Sequence, residues 1–160
     1  MSGSEISRLP RGSRTHSGVE VARASLTRRV TFAAAHRYRR PEWDDARNES
    51  TFGLCSRSSF HGHSYVCEVT VEGEIDEITG FVVDLGMLDA VLKREVRDRF
   101  DHRNINVDVP EFADGLLVPT GENLSRFIFE HVAESLGELC RVVEVSVAED
   151  DTMRVSFRGA

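Results

Sequence analysis

The fold is decided by the stretch His61-Gly62-His63-Ser64-Tyr65-Val66-Cys67-Glu68-Val69-Thr70-Val71-Glu72, whose side chains alternate in character. One set of alternate positions carries Tyr65, Cys67, Val69 and Val71, and the residues between them are largely polar. Since successive side chains of a strand point to opposite faces, this pattern predicts a β-strand with one face on a core.

A second strand is predicted on the N-terminal side, over residues 26–36. Val30, Phe32 and Ala34 share one of its faces, and His36 ends it. Residues 37–60 have no sustained period and contain Pro41, Asn48 and Gly53, which predicts a long loop. Loops of that length in compact domains tend to be functional.

Two helices are predicted on the C-terminal side. Asp84 is a candidate N-cap for a helix with apolar residues at helical spacing, and Thr120 is a candidate N-cap for another, with Glu122 in its first turn. Polar residues 101–119 predict a loop between them. The helical faces are Leu85, Leu88, Val91, Leu92 and Val96, then Leu124, Phe127, Ile128, Val132 and Leu136.

Two closing strands are predicted over residues 142–148 and 153–157, around a turn at 149–152. Strands on both sides of a helical pair favour an α+β sheet with helices on one face. Residues 1–25 are rich in Ser, Arg and Gly, which predicts a disordered tail. The interpretation is therefore a tail (1–25) and a single domain (26–160).

Charge and composition narrow the classes of function. The chain of 160 residues has a net charge of −7, so it lacks the basic excess of a general nucleic-acid binder. No apolar run approaches the roughly 20 residues that cross a bilayer. Three cysteines, not in CxxC pairs, favour a reducing compartment, and we expect a cytoplasmic protein. Cys67 and Cys140 fall in apolar segments, whereas Cys55 lies among Gly53 and serines and is expected to be accessible.

Three histidines form a candidate metal site. His61 and His63 lie two apart on a predicted strand and therefore face the same side, and His36 ends the neighbouring strand. Three imidazoles leave one tetrahedral position open, as in catalytic zinc sites. Each histidine alone would more often be a hydrogen-bonded core or surface residue than a metal ligand, and His16 and His131 are interpreted in that way.

Several motifs, in this order, resemble the 6-pyruvoyl-tetrahydropterin synthase family over roughly residues 27–158. They are Phe32-Ala33-Ala34-Ala35-His36, Phe52-Gly53-Leu54-Cys55, His61-Gly62-His63-Ser64-Tyr65, Gly73-Glu74-Ile75-Asp76, Thr79-Gly80, Asp101-His102-Arg103-Asn104, Val109-Pro110-Glu111-Phe112-Ala113-Asp114 and Glu122-Asn123.

The resemblance implies the tunnelling fold (T-fold), a four-stranded antiparallel sheet with two helices between strands two and three. It also implies trimers that close into a barrel and stack as a homo-hexamer with active sites between subunits. Residue by residue, it implies zinc ligands at His36, His61 and His63, catalytic roles for Cys55, Asp101 and His102, and substrate binding by Glu149, Thr120 and Glu122. Without the resemblance, Asp101-His102 would be interpreted as a helix end, Glu149 as a turn residue and Glu122 as a helix-start charge.

The family implies a pterin substrate, 7,8-dihydroneopterin triphosphate, with Zn²⁺ as cofactor and Mg²⁺ accompanying the triphosphate. One sister activity is a lyase that eliminates triphosphate to give 6-pyruvoyl-tetrahydropterin, for tetrahydrobiopterin. The other, 6-carboxy-tetrahydropterin synthase of queuosine (deazaguanine) biosynthesis, releases acetaldehyde. Five residues between Cys55 and His61 favour the pyruvoyl type, whereas Phe60, Ser64 and Asp84 depart from it. A non-catalytic pterin-binding or zinc-binding relative is the third alternative.

Overall fold

Two long strands form the centre of the fold: β1 (Arg23–His36) and β2 (His61–Glu74), which pair antiparallel along their whole length. The structure, a computed structural model, describes residues 21–159. Most of the predicted tail, residues 1–20, lies outside the described residues. The predicted boundary after residue 25 is wrong, because residues 23–25 belong to β1 and pair with β2.

The sheet has five strands in the order β3-β1-β2-β4-β5, with β3 (Arg103–Asn104), β4 (Arg141–Ala148) and β5 (Arg154–Phe157). The prediction of four antiparallel strands is therefore wrong in strand number and in direction at one edge. The additional strand, β3, pairs parallel to β1 at Ala34 and Ala35. A strand of two residues is too short to show any alternation, so sequence periodicity could not detect it.

The predicted loop over residues 37–60 is wrong in its middle, which contains α1 (Asp45–Phe52) followed by a 3₁₀ turn, Gly53–Ser56. Asp44 caps α1 by accepting a hydrogen bond of 2.8 Å from the Arg47 N–H. Asn48 is the buried residue of α1, so the helix lacks the apolar stripe by which periodicity in the sequence could have predicted it. Its amide instead bonds the backbone of Arg40, Trp43 and Asp44 and holds the segment together.

The two predicted helices and their N-caps are confirmed. The Asp84 carboxylate accepts from Met87 N–H at 2.8 Å and begins α2 (Leu85–Leu92), which continues through a π-helical turn (Lys93–Arg97) into α3 (Asp98–Phe100). Thr120 begins α5 (Gly121–Leu136), its hydroxyl lying 3.4 Å from Asn123 N. The predicted loop over 101–119 also holds β3, α4 (Ile105–Asp108) and a 3₁₀ turn, Pro110–Phe112.

The core lies between the helices and one face of the sheet. On β2 the core face is Tyr65, Cys67, Val69 and Val71, all fully buried, against apolar residues of α2 and α5. His61 and His63 have the same strand parity, so they extend this face beyond the apolar residues to the end of the sheet. Within residues 21–159, no helix combines the length and the apolar character that a membrane crossing requires.

Candidate metal centre and active site

The predicted histidine cluster is assembled at one end of the sheet. The antiparallel register places His36 opposite His61 and Ala34 opposite His63. His36 Nε2 lies 3.2 Å from His61 Nε2, and one nitrogen from each of the three rings falls within 4.8 Å of the others. Two nitrogens on one tetrahedral zinc would be roughly 3.3 Å apart, given Zn–N bonds of about 2.05 Å. The first pair is therefore already at ligand spacing.

The orientation of His36 is set by groups behind its ring. Its Nδ1 lies 3.1 Å from the Pro119 carbonyl oxygen and 2.9 Å from the Tyr65 hydroxyl. A carbonyl only accepts hydrogen bonds, so Nδ1 is the protonated nitrogen and Nε2 keeps a lone pair for the cluster. Metal-binding histidines typically have such a partner on the other ring nitrogen.

The electrostatics of His36 and His61 favour the neutral imidazole that a metal requires of its histidine ligands. Burial lowers the pKa of His36 to about 3, with further lowering from His61 and His63. Burial also lowers the pKa of His61. His63 Nε2 is buried and has no hydrogen-bond partner among the described residues. An unpartnered ring nitrogen, aimed where two others converge, fits a metal ligand, so the residues present suit a zinc ion.

A buried carboxylate adjoins the cluster. Glu149 is 7% exposed, and its Oε2 lies 4.0 Å from His63 Nε2. The Tyr38 hydroxyl donates a 2.5 Å hydrogen bond to Oε1 of Glu149. Burial and this bond raise the pKa of Tyr38, so the phenol keeps its proton and remains the donor. The predicted substrate residue Glu149 is thus brought to the histidine cluster, although it follows β4 and is far from the histidines in sequence.

Cys55 lies at the same end of the molecule, in the 3₁₀ turn after α1. Its carbonyl accepts a 2.8 Å hydrogen bond from Tyr38 N–H, and its side chain is half-buried. Burial raises the pKa of the Cys55 thiol, and the Glu149 carboxylate raises it further. All three cysteines are free thiols. The isolated chain therefore favours the neutral thiol of Cys55.

Asp101 and His102 form a pair of their own beside β1. The Asp101 carboxylate accepts from Ala33 N–H at 2.9 Å, which lowers its pKa, and it lies 3.1 Å from His102 Nδ1. His102 has a left-handed backbone (φ 58°) and its side chain is 84% exposed. No hydrogen bond joins either residue to Cys55 in the described part of the chain. An open groove of about 560 Å³ is lined by both His63 and His102.

The predicted residues at the start of α5 differ in placement. Thr120 follows Pro119, whose carbonyl holds His36, and its hydroxyl caps the helix. The Glu122 side chain is exposed and makes no hydrogen bond or ion pair within residues 21–159. The structure therefore shows a helix start for both residues, and their substrate contacts stay a prediction.

Two functional neighbours were missed by sequence reasoning. Tyr38 is 111 positions from Glu149, in a segment without periodicity, and no local signal connects them. Asn106 is buried, and its amide accepts from Arg37 N–H at 2.9 Å and donates to Arg37 O at 3.2 Å. That clamp fixes the residue between His36 and Tyr38. A buried asparagine in a polar segment has no pattern by which it could be found.

An α+β sheet with helices on one face and, at one end, three imidazoles beside a cysteine and a buried carboxylate defines a domain with a candidate catalytic metal centre. The family model described as 6-pyruvoyl tetrahydropterin synthase matches residues 25–160. The chain belongs to this family, as the sequence motifs predicted.

Individual relatives agree. The Drosophila melanogaster protein named 6-pyruvoyl tetrahydrobiopterin synthase is 38% identical over 136 residues, which cover 85% of this chain and 80% of the relative. A Pyrococcus furiosus protein named dihydroneopterin monophosphate aldolase is 30% identical over 135 residues, which cover 84% of this chain and 97% of the relative. The solved structure of Caenorhabditis elegans 6-pyruvoyl tetrahydropterin synthase has a TM-score of 0.82 at 32% identity, covering 88% of this chain and 98% of that chain. This similarity confirms the T-fold.

Proposed function

We propose that this chain is a zinc-dependent lyase that converts 7,8-dihydroneopterin triphosphate to 6-pyruvoyl-tetrahydropterin with elimination of triphosphate. The observation that carries the proposal is the buried Glu149 carboxylate 4.0 Å from the unpartnered His63 Nε2. That pair offers a charged acceptor for a pterin beside a metal ligand. The names of the family and of the Drosophila relative support the same reaction.

Glu149 is proposed to bind the guanidine-like edge of the pterin. A carboxylate accepts two parallel N–H groups side by side, and the ring N–H and amino group of a pterin present such a pair. Burial strengthens this recognition, because few waters compete for the carboxylate oxygens. Thr120 and Glu122 are proposed to help hold the same ring from the start of α5.

His36, His61 and His63 are proposed to hold the zinc ion. When bound, zinc would act as a Lewis acid on the side-chain oxygens of the substrate. Mg²⁺ is proposed to accompany the triphosphate. The neutral state of His36 suits this role, because a protonated ligand would have to lose its proton first.

Cys55 is proposed to move a proton of the substrate side chain. Burial and the Glu149 carboxylate raise the pKa of its thiol, and a positive charge nearby would favour the thiolate that this task needs. His102 is a candidate partner for Cys55, because its imidazole is exposed and lies 3.1 Å from the Asp101 carboxylate. Since no hydrogen bond joins either residue to Cys55 in the described part of the chain, we propose that Asp101 and His102 serve the active site of a second copy.

This requirement supports the proposed trimers and homo-hexamer. The outer edge of β5 has no neighbour among the described strands, and β3 covers β1 only at Ala34 and Ala35. Open edges of this kind are removed when sheets join into a barrel. Sedimentation of the purified protein tests the assembly, because a stable and active monomer contradicts a shared active site.

We also propose the cytoplasm as the compartment, which the free thiols of the three cysteines support.

The decisive experiment is incubation of the zinc-loaded protein with 7,8-dihydroneopterin triphosphate, with and without magnesium, and product identification by mass spectrometry. Triphosphate with 6-pyruvoyl-tetrahydropterin supports the proposal. Acetaldehyde with 6-carboxy-tetrahydropterin supports the alternative reaction of the queuosine pathway. An aldolase cleaves a carbon–carbon bond, so the name of the Pyrococcus relative, dihydroneopterin monophosphate aldolase, is a reason to look for cleavage products in the same analysis. Absence of turnover with zinc bound supports a pterin-binding or zinc-binding relative.

A further inference from the structure

We propose that Tyr38 is a positioning residue for Glu149 and so sets the selectivity of the site for the amino-bearing edge of a pterin; this role rests on the function proposed above. Tyr38 contacts three parts of the site at once. Its hydroxyl binds Glu149, its ring packs edge-on against His36 with centroids 4.8 Å apart, and its backbone N–H binds the carbonyl of Cys55.

The hydroxyl holds the Glu149 carboxylate in one orientation, with one oxygen toward Tyr38 and the other toward the histidine cluster. Tyr38 Oη lies 2.5 Å from Oε1, while Oε2 is the oxygen 4.0 Å from His63 Nε2. An ionised carboxylate offers about four lone-pair sites, and the phenol uses one of them. The remaining sites stay available to substrate, in a plane that the Tyr38 bond fixes.

Tyr38 itself is held firmly enough to act in this way. Its N–H donates to Cys55 O at 2.8 Å, and Asn106 binds both the N–H and the carbonyl of the preceding Arg37. Phe52 also packs edge-to-face against the Tyr38 ring, at a centroid distance of 6.1 Å. The position of the carboxylate is therefore tied through one side chain to the end of β1 and to the turn that carries Cys55.

The chemical consequence is discrimination at one substituent. Two parallel N–H donors on a pterin need two coplanar carboxylate oxygens, whereas a lumazine has a carbonyl in place of the 2-amino group and offers one donor beside an acceptor. A carboxylate free to rotate would keep part of its attraction for either ring but lose the paired geometry. Removal of the Tyr38 hydroxyl should therefore weaken pterin binding more than lumazine binding.

The test compares Tyr38→Phe with the zinc-loaded full-length wild type, using neopterin and the lumazine of the same side chain as probes in fluorescence titrations. We expect the neopterin Kd to rise about ten-fold, as for loss of a hydrogen bond to a charged group, and the lumazine Kd to change less than about two-fold. With 7,8-dihydroneopterin triphosphate, KM should rise about ten-fold and kcat should stay within about three-fold.

Tyr65→Phe is the matched control. It also removes a phenol hydroxyl from this site, but the hydroxyl of Tyr65 bonds His36 rather than Glu149. It should weaken zinc binding and leave the ratio of neopterin to lumazine affinity unchanged. Tyr38→His, which keeps a donor on a smaller ring, covers the case in which Tyr38→Phe does not fold, and it should preserve most of that ratio.

If folded, zinc-loaded Tyr38→Phe keeps the wild-type ratio of neopterin to lumazine affinity, the role of Tyr38 is overturned. The role is also overturned if folded Tyr38→His with full zinc content loses that ratio. If the wild type processes its substrate in that situation, the proposed function stands and only the Tyr38 proposal fails. If the wild type neither binds neopterin nor turns over dihydroneopterin triphosphate, both proposals fail together.

Discussion

Gly62→Ala should weaken zinc binding through the spacing of two strands, without touching a ligand. Gly62 lies between His61 and His63, and a Cβ there would stand 3.3 Å from the Ala34 carbonyl oxygen. At that distance β1 must move away by a few tenths of an ångström. β1 cannot yield freely, because Ala34 pairs with His63 on one side and with Arg103 on the other.

The magnitude follows from the tolerance of the metal site. Metal–ligand distances are held within about 0.2 Å, so a displacement of this size between the strand of His36 and the strand of the other two ligands exceeds it. We expect zinc affinity to fall about ten-fold, or about 1.4 kcal/mol. Overpacking costs about 1–3 kcal/mol, and the lower chain entropy of alanine offsets about 0.4–1 kcal/mol, so stability should fall by about 1 kcal/mol.

Gly73→Ala provides the control, because Gly73 is on the same strand at its other end. A Cβ there meets Val82 Cγ1 at 3.1 Å and Val82 O at 3.2 Å, which is at least as tight. Zinc affinity is measured by competition with a fluorescent chelator, and stability by urea unfolding of the metal-free proteins. Gly73→Ala should lose stability and keep its zinc affinity. Equal zinc affinities for the two variants and the wild type would refute the argument.

Three further predictions address the other proposed residues. Cys55→Ala should lower turnover at least about 100-fold while zinc content and neopterin affinity stay within about two-fold; retained activity contradicts a role in proton transfer. Glu149→Gln should accelerate alkylation of Cys55 by iodoacetamide at neutral pH, because loss of the negative charge lowers the raised thiol pKa and increases the thiolate fraction. Glu122→Gln is its control, and equal rates in Glu149→Gln and wild type would contradict the influence of the Glu149 charge on Cys55. Thr120→Ala should cost about 1 kcal/mol in urea unfolding through loss of the α5 cap, whereas Thr120→Ser should cost little; no difference between them would contradict the cap.

The sequence predicted best where burial imposes a period. The alternation from Tyr65 to Val71 predicted β2, and the residues before His36 predicted β1, so the meeting of the three histidines followed from strand pairing alone. Helix caps at Asp84 and Thr120 were equally readable, because capping depends on a local side-chain hydrogen bond.

The parts that escaped prediction are held by polar contacts distant in sequence. α1 has Asn48 as its buried residue, and β3 has only two residues, so neither contributes an apolar period. The Tyr38–Glu149 hydrogen bond joins positions 111 apart, which no local pattern encodes. The proposed roles of Asp101 and His102 came from family resemblance, since no hydrogen bond joins either residue to Cys55 within residues 21–159.

His36 and His61 lie at the two ends of the segment that carries Tyr38 and Cys55. A metal ion bound to both would therefore also cross-link the ends of that segment. A tether between residues 25 apart in the chain would remove about 3.5 kcal/mol of loop entropy from the unfolded state, by analogy with a disulfide of that span. Loss of the metal would then increase the flexibility of residues 37–60 as well as remove a Lewis acid. A catalytically inert ion of similar size should therefore restore much of the order around Cys55 without restoring turnover.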